Sequence, residues 1–165
     1  MEDRSRGDIP RDTPFLQEAL DAASTRIRNR CEWHIFPEIS ELGYRLRARQ
    51  GVSTWLPTAH LVTIDSLTTQ AGADVDVESL QWWRDGHVEG IPSTGISIMN
   101  FTHGYEEAPA DLVALCLALT VGDLVARGVL REQTLTSSIT WDRASGALTQ
   151  ADKADLMAYM IGYQP

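Results

Sequence analysis

From Gly95 to Leu130 the chain reads GISIMNFTHGYEEAPADLVALCLALTVGDLVARGVL, and no other stretch restricts the fold as much. Ile96, Ile98 and Phe101 belong to a short extended run that stops at Thr102, His103 and Gly104, with Tyr105 closing the turn. Glu106 and Glu107 then precede Pro109, whose missing N–H is tolerated in a first helical turn, and the two carboxylates suit the positive end of a helix dipole. Leu112, Val113, Leu115, Cys116, Leu119, Leu124, Val125 and Val129 cover more than one helical face, so the pattern predicts a helix from Pro109 to Leu130 buried nearly all round. Asp123 interrupts the apolar run, which falls short of the roughly 20 residues a membrane span needs. A strand feeding a core helix points to an α+β fold.

Two more helices are legible. Thr13 as N-cap and Pro14 at the first helical position open one that runs to Cys31, with Leu16, Leu20, Ala23 and Ile27 as its apolar stripe. Arg26, Arg28 and Arg30 suit its C-terminal end and also offer a basic patch to an acidic neighbour, the dipole reading leading. Thr149 and Asp152 fit the capping pattern of a closing helix from Gln150 to Ile161, on which Leu156, Tyr159, Met160 and Tyr163 form an apolar stripe. Such a helix either docks on its own domain or presents that stripe, with Met157, to a partner.

Between the first two helices lies a small antiparallel β region, about residues 41–104. Leu42, Tyr44, Leu46 and Ala48 alternate with Arg45, Arg47 and Arg49, as in a half-buried strand. The arginines form either a partner contact or a solvated face that protects an edge. Gly51 with Ser53, and Gly72, mark turns around the strand residues Leu61, Val62, Ile64 and Leu67. Asp74, Asp76 and Glu78 alternate beside Val75 and Val77; Ser79 stands where a calcium loop needs glycine, so a solvated acidic strand face is expected. Asp85-Gly86 signals a hairpin after Trp82 and Trp83. Adjacent strand residues face opposite ways, so one tryptophan should enter the core and the other be covered by a loop or serve as an intersubunit anchor. Ser138, Ile139, Thr140 and Trp141 suggest one further brief strand before Gly146.

The 165 residues carry a formal net charge of −9, which opposes nonspecific binding to duplex DNA. Residues 1–12 read as a flexible arm without an apolar leader, and the Arg6-Gly7-Asp8 tripeptide within it is a coincidence of composition. Residues 13–165 are expected to form one domain. Cys31 and Cys116 lack disulfide or metal spacing, and Cys31 with His34 has no matching second pair, so reduced core thiols are expected and no metal or cofactor. No nucleophile elbow, phosphate loop, dinucleotide fingerprint or zinc-protease motif occurs, and the chain does not read as an enzyme.

The segment FTHGYEEAPADLVALCLAL resembles the signature of tailed-phage head-to-tail connector proteins, TYTHGY followed by two acidic residues and P-x-D-L. ALDAASTRIRNRCEWHI is similar to that family's first helix with its C-x-W-H-I ending, and GALTQADKADLMAYM to its closing helix, so three ordered pieces span Pro14 to Tyr163. The resemblance implies an adaptor or head-completion protein: a small bundle of three main helices with an inserted β region, made in the host bacterial cytoplasm and placed in the virion neck. Its implied partners are the portal protein, a stopper or tail-terminator protein, and further copies of itself in a twelvefold ring through which packaged DNA passes without specific binding. Leu156, Tyr159, Met160, Tyr163, Trp82, Trp83, Arg45, Arg47 and Arg49 are the candidate portal or subunit interface. A stopper or tail-terminator ring protein is the nearest alternative, and a soluble ligand-binding protein or enzyme a more distant one.

Overall fold

A computed structural model describes residues 12–127 and 147–161. The expected arm (apart from Asp12), the strand at Ser138 to Trp141, the last turn of the helix expected to reach Leu130, and Tyr163 lie outside the described residues. The described residues form a mixed α/β structure with three helices and two antiparallel sheets, divided into two compact units. One unit takes residues up to Arg30 and those from Pro109 to Ala158; the other takes Cys31 to Ala108 and continues from Tyr159.

In the helical unit, α1 is Leu16–Cys31 and α2 is Ala110–Ala126. α1 starts two residues later than expected because Phe15 has a left-handed φ of 63°, and the Thr13 carbonyl accepts the Leu16 N–H at 3.2 Å. Of the expected stripe Ala23 and Ile27 are buried, but Leu16 and Leu20 are only half-buried, and Ala19 and Cys31 complete the buried line at steady steps of four. Small alanines allow close approach. Ser24 Oγ and Cys116 Sγ lie 3.5 Å apart, Arg26 Nη1 donates to Asp123 Oδ2 at 2.8 Å, and Arg127 Nη1 donates to Glu18 Oε2 at 3.3 Å. Asp123, the residue that breaks the apolar run, is therefore a buried ion-pair partner of α1.

α2 is less covered than its composition suggests. Only Leu112, Leu119, Thr120, Gly122, Asp123 and Leu124 are buried, while Val113, Leu115, Cys116 and Val125 are half-buried and Ala114 is exposed. Apolar residues at partly exposed positions are ordinary for a folded surface, so composition overstates burial. α3 (Gln150–Asp155) opens with the expected capping box: Thr149 Oγ1 accepts the Asp152 N–H, and Asp152 Oδ2 accepts the Thr149 N–H. It then tightens into a 3-10 turn, Leu156–Tyr159, instead of continuing as an α-helix to Ile161.

The β unit contains β1 (Ile39–Ala48), β2 (Thr54–Trp55), β3 (Leu61–Thr68), β4 (Asp74–Val75), β5 (Gln81–Trp82), β6 (His87–Glu89) and β7 (Gly95–His103). The first sheet has the order β1-β7-β3-β4 and the second β2-β6-β5. Leu46, Ala48, Leu61, Ile64, Leu67, Met99 and Phe101 of the first sheet form one core with Leu56, Leu80, Val88 and Ile91.

β1 behaves as expected only after a bulge between Glu41 and Tyr44, where Gly43 takes a φ of 70°. From Tyr44 onward Tyr44, Leu46 and Ala48 face inward and Arg45, Arg47 and Arg49 outward, but the bulge moves Leu42 to the surface, 77% exposed. β3 has two bulges, so its buried residues Leu61, Ile64 and Leu67 recur every three positions instead of two. The acidic alternation is not a strand face. Asp74 lies in β4, while Asp76 Oδ1 accepts the Glu78 N–H and caps a 3-10 turn, Val77–Ser79.

Neither Trp82 nor Trp83 enters the core; they are 37% and 44% exposed. β5 is only two residues long at a sheet edge, and the core beside it is filled by Leu80 and Val88. The Asp85-Gly86 turn forms as the sequence predicts, with the Gly86 N–H donating to the Trp83 carbonyl. A Cβ on Gly86 (φ 87°) would lie 2.5 Å from the Thr58 carbonyl oxygen, whereas one on Gly72 (φ 81°) would meet nothing within 4 Å. Gly86→Ala is therefore expected to cost clearly more than Gly72→Ala, about 3 against about 1 kcal/mol, in urea-denaturation midpoints of the two variants.

Candidate functional site

The quoted THGY segment is the tie point of the β unit. Thr102 faces outward, with its Oγ1 3.0 Å from Ser40 Oγ, while His103 faces inward and is 2% exposed. Gly104 has a φ of 103°, and a Cβ there would lie 3.0 Å from the Pro37 carbonyl oxygen, so only glycine fits without displacement. The Gly104 N–H donates to the His60 carbonyl at 2.9 Å and the Tyr105 N–H to the Ile35 carbonyl at 2.8 Å. The His60 ring stacks on Tyr105 with centroids 4.0 Å apart and its Nδ1 lies 2.8 Å from the Gly104 carbonyl oxygen.

The C-x-W-H-I residues meet the same point. Trp33 and Ile35 are buried, and Trp33 Nε1 donates to the Tyr159 carbonyl at 2.6 Å. The Trp33 ring lies 6.3 Å from both His103 and Tyr105, and His34 stands edge-on to His103 at 6.2 Å. Burial pushes the His103 imidazole below its ordinary 6.5; the Glu41 carboxylate pulls the other way and His34 adds to the lowering. His103 Nε2 is 3.9 Å from Glu41 Oε1, too far for a hydrogen bond, and neither ring nitrogen has a hydrogen-bond partner. A neutral, unbonded, enclosed imidazole packed among aromatic rings is a packing group, with no substrate-accessible atom on which to base acid–base catalysis.

The interface candidates fall in separate places. Arg45 and Arg47 stand exposed on β1, an edge strand, and Arg49 is exposed just past its end. Trp83 belongs to a ladder that sequence reasoning missed: His87 on β6 stacks with Trp55 on β2 and with Trp83, the residue after β5, each ring pair 4.8 Å apart. The tryptophans were visible in the sequence, but their alignment depends on β2 pairing with β6. Trp82 lies on the opposite face, across from Val88. Leu156 is fully buried and belongs to the chain's own packing, with Met157 exposed beside it. Tyr159 and Met160 are half-buried, the Tyr159 ring standing edge-on to Tyr105 at 6.1 Å. Among the described residues no group of three His, Cys, Asp or Glu is placed to hold a metal ion, and no helix is long and apolar enough to cross a membrane.

Solved structures contain chains of similar shape. One, in the neck of a native gene transfer agent particle computed with C12 symmetry, superposes with a TM-score of 0.52 at 20% identity, covering 76% of each chain. The chain shares its fold. A second, in the virion of a native gene transfer agent particle, gives a TM-score of 0.54 at 17% identity over 96% of this chain and 83% of that one. A third, in the neck of an empty particle computed with C6 symmetry, gives 0.52 at 20% identity over 91% and 80%. No protein-family model matches the sequence, and no curated protein does.

The lowered His103 pKa fixes a pH dependence. The unfolded chain takes up this proton near pH 6.5 while the folded chain still excludes it, so its contribution to stability is intact above pH 6.5 and declines as the pH falls toward the folded value. Chemical denaturation between pH 7.5 and about 5 is expected to show a falling unfolding free energy, with a slope of at most about 1.4 kcal/mol per pH unit from this group. His103→Phe should remove that part of the slope; an unchanged slope would assign it to other groups.

Proposed function

We propose that this chain is a structural protein of the neck of a phage-like particle, and specifically a head-to-tail adaptor that forms a ring on the portal protein and presents a surface to a stopper or tail-terminator protein. The observation that carries this reading is the fold shared with neck and virion chains of gene transfer agent particles over most of the length of both partners. The twelvefold symmetry applied to one of those necks supports a ring of twelve. The three ordered motifs support the adaptor over the stopper, and the two that form the tie point, C-x-W-H-I and THGY, meet in space. In this reading the helices act as a small bundle and the protein works by binding and geometry, without catalysis. The net charge of −9 suits a channel past which DNA slides.

Tyr159, Met160 and Tyr163 are the segment we assign to the portal, and Trp82 to a neighbouring virion protein. Mixing the purified chain with portal rings of the same particle, followed by native mass measurement and negative-stain microscopy, is expected to show an added collar of portal stoichiometry. Absence of any association across salt conditions would overturn the adaptor reading in favour of a stopper or tail terminator. Met160→Glu and Trp82→Ala test the surfaces separately from folding. Met160→Glu should weaken portal association, and Trp82→Ala that of the downstream protein, each by about tenfold or more, while their melting curves stay close to the parent's.

A further inference from the structure

One row of outward-facing residues crosses the first sheet: Arg45 lies opposite Ile98, Ile98 opposite Thr68, and Thr68 opposite Asp74. It runs from edge strand β1 to edge strand β4, a span of roughly 14 Å from the usual strand spacing. Its two ends carry opposite charge. Arg47 on β1 and Arg49 just past its end extend the positive side; Asp76, which caps the 3-10 turn after β4, and Glu78 within that turn extend the negative side, and all six side chains are exposed. Among the described residues none of the six takes part in an ion pair; the arginine–carboxylate pairs there are Arg26 with Asp123 and Arg127 with Glu18. Asp74 accepts a hydrogen bond from Thr68 Oγ1, and Asp76 from the Glu78 N–H, each through Oδ1. Between the edges Ile98 stands 48% exposed, an apolar residue that the chain itself leaves half open.

Three arginines along one side repel one another, and on a chain of net charge −9 such a side favours an acidic counterpart. The opposite edge of the same sheet supplies one. We propose that a second copy of this chain docks its Asp74, Asp76 and Glu78 edge against Arg45, Arg47 and Arg49 of the first, a head-to-tail contact that leaves one free edge of each sign on every growing assembly until a ring closes. β4 is only two residues long, so it cannot template an added strand, and side-chain charge, not backbone pairing, carries the contact. This inference rests on the ring reading and names the face that would build it.

The test uses the full chain and two double variants, Arg45→Glu with Arg47→Glu and Asp74→Lys with Glu78→Lys, which leave the Asp76 cap in place, assembled alone and on portal rings and followed by native mass measurement. Each variant is expected to lose association by on the order of tenfold or more, with unchanged melting curves, and about 1 M salt should weaken the parent in the same direction. An equimolar mixture of the two variants should regain assembly, because each reversed edge then meets an opposite charge on the other protein. Failure of the mixture to recover overturns the contact, and so does recovery as closed dimers only, which would mean two sheet faces meeting through Ile98. A parent ring that both reversals leave intact overturns this contact and spares the ring. A parent chain that stays monomeric alone and on portal rings overturns both. Salt-sensitive capture of duplex DNA by the arginine edge, with no self-association, also overturns it.

Discussion

The β unit depends on where β7 ends. β7 is paired on both sides, with β1 and with β3, and turns Ser97, Met99, Phe101 and His103 inward, all buried. A strand so enclosed can leave its sheet only where the backbone has room, and at Gly104 a Cβ would press on the Pro37 carbonyl. The next two backbone N–H groups are satisfied by the carbonyls of His60 and Ile35. One glycine thus fixes three chain segments at once: the exit of β7, the entry to β3 and the residues after α1. Buried backbone donors left unpaired are costly, so the crossing is specific as well as compact.

This explains why two motifs far apart in sequence form one object. Trp33 and His34 follow α1, His103 ends β7 and Tyr105 follows it, and their rings pack together because the Ile35 carbonyl is the acceptor for Tyr105. Enclosure has a cost. His103 has both ring nitrogens without hydrogen-bond partners and an imidazole held neutral by burial. The aromatic packing around it, including Phe101 at 5.2 Å, offsets that cost.

Features set by a few neighbouring residues were legible in the sequence. The Thr149 and Asp152 capping box, the Asp85-Gly86 turn and the outward arginines of β1 all depend on local backbone chemistry, and all appear. Features set by a partner strand were not. The phase of β1 is reset by the bulge at Gly43, whose N–H donates to Asn100 Oδ1 on β7, and no periodicity within β1 contains that information. In β3 two bulges convert a period of two into three, which reads as irregular apolar spacing until β7 is laid beside it. Trp82 and Trp83 misled for the related reason that opposite-facing residues imply one buried ring only when the strand has a core behind both its ends. Of the candidate interface, the arginine face was readable from the alternation, whereas the acidic side that we propose as its counterpart required knowing that β4 closes the other side of the same sheet.

The composition of the surface bears on the proposed assembly. Its exposed large apolar residues include Leu42 on β1, Ile98 on β7 and Met157 in the C-terminal 3-10 turn, each apart from the others in the chain, and Trp55, Trp82 and Trp83 in and beside the second sheet. Trp55 and Trp83 also satisfy each other's neighbour, His87, by stacking, which stiffens the second sheet without requiring a partner. Exposed charge pairs give little affinity singly, because water and salt screen them, but they fix orientation and reject wrong partners. A contact of that kind is weak between two free copies. On a template that holds many copies side by side, each added contact becomes intramolecular, and the last one closes the ring from both ends. On the proposed ring reading, opposite charges on opposite sides of one sheet suit a contact that accumulates only where a surface holds copies side by side.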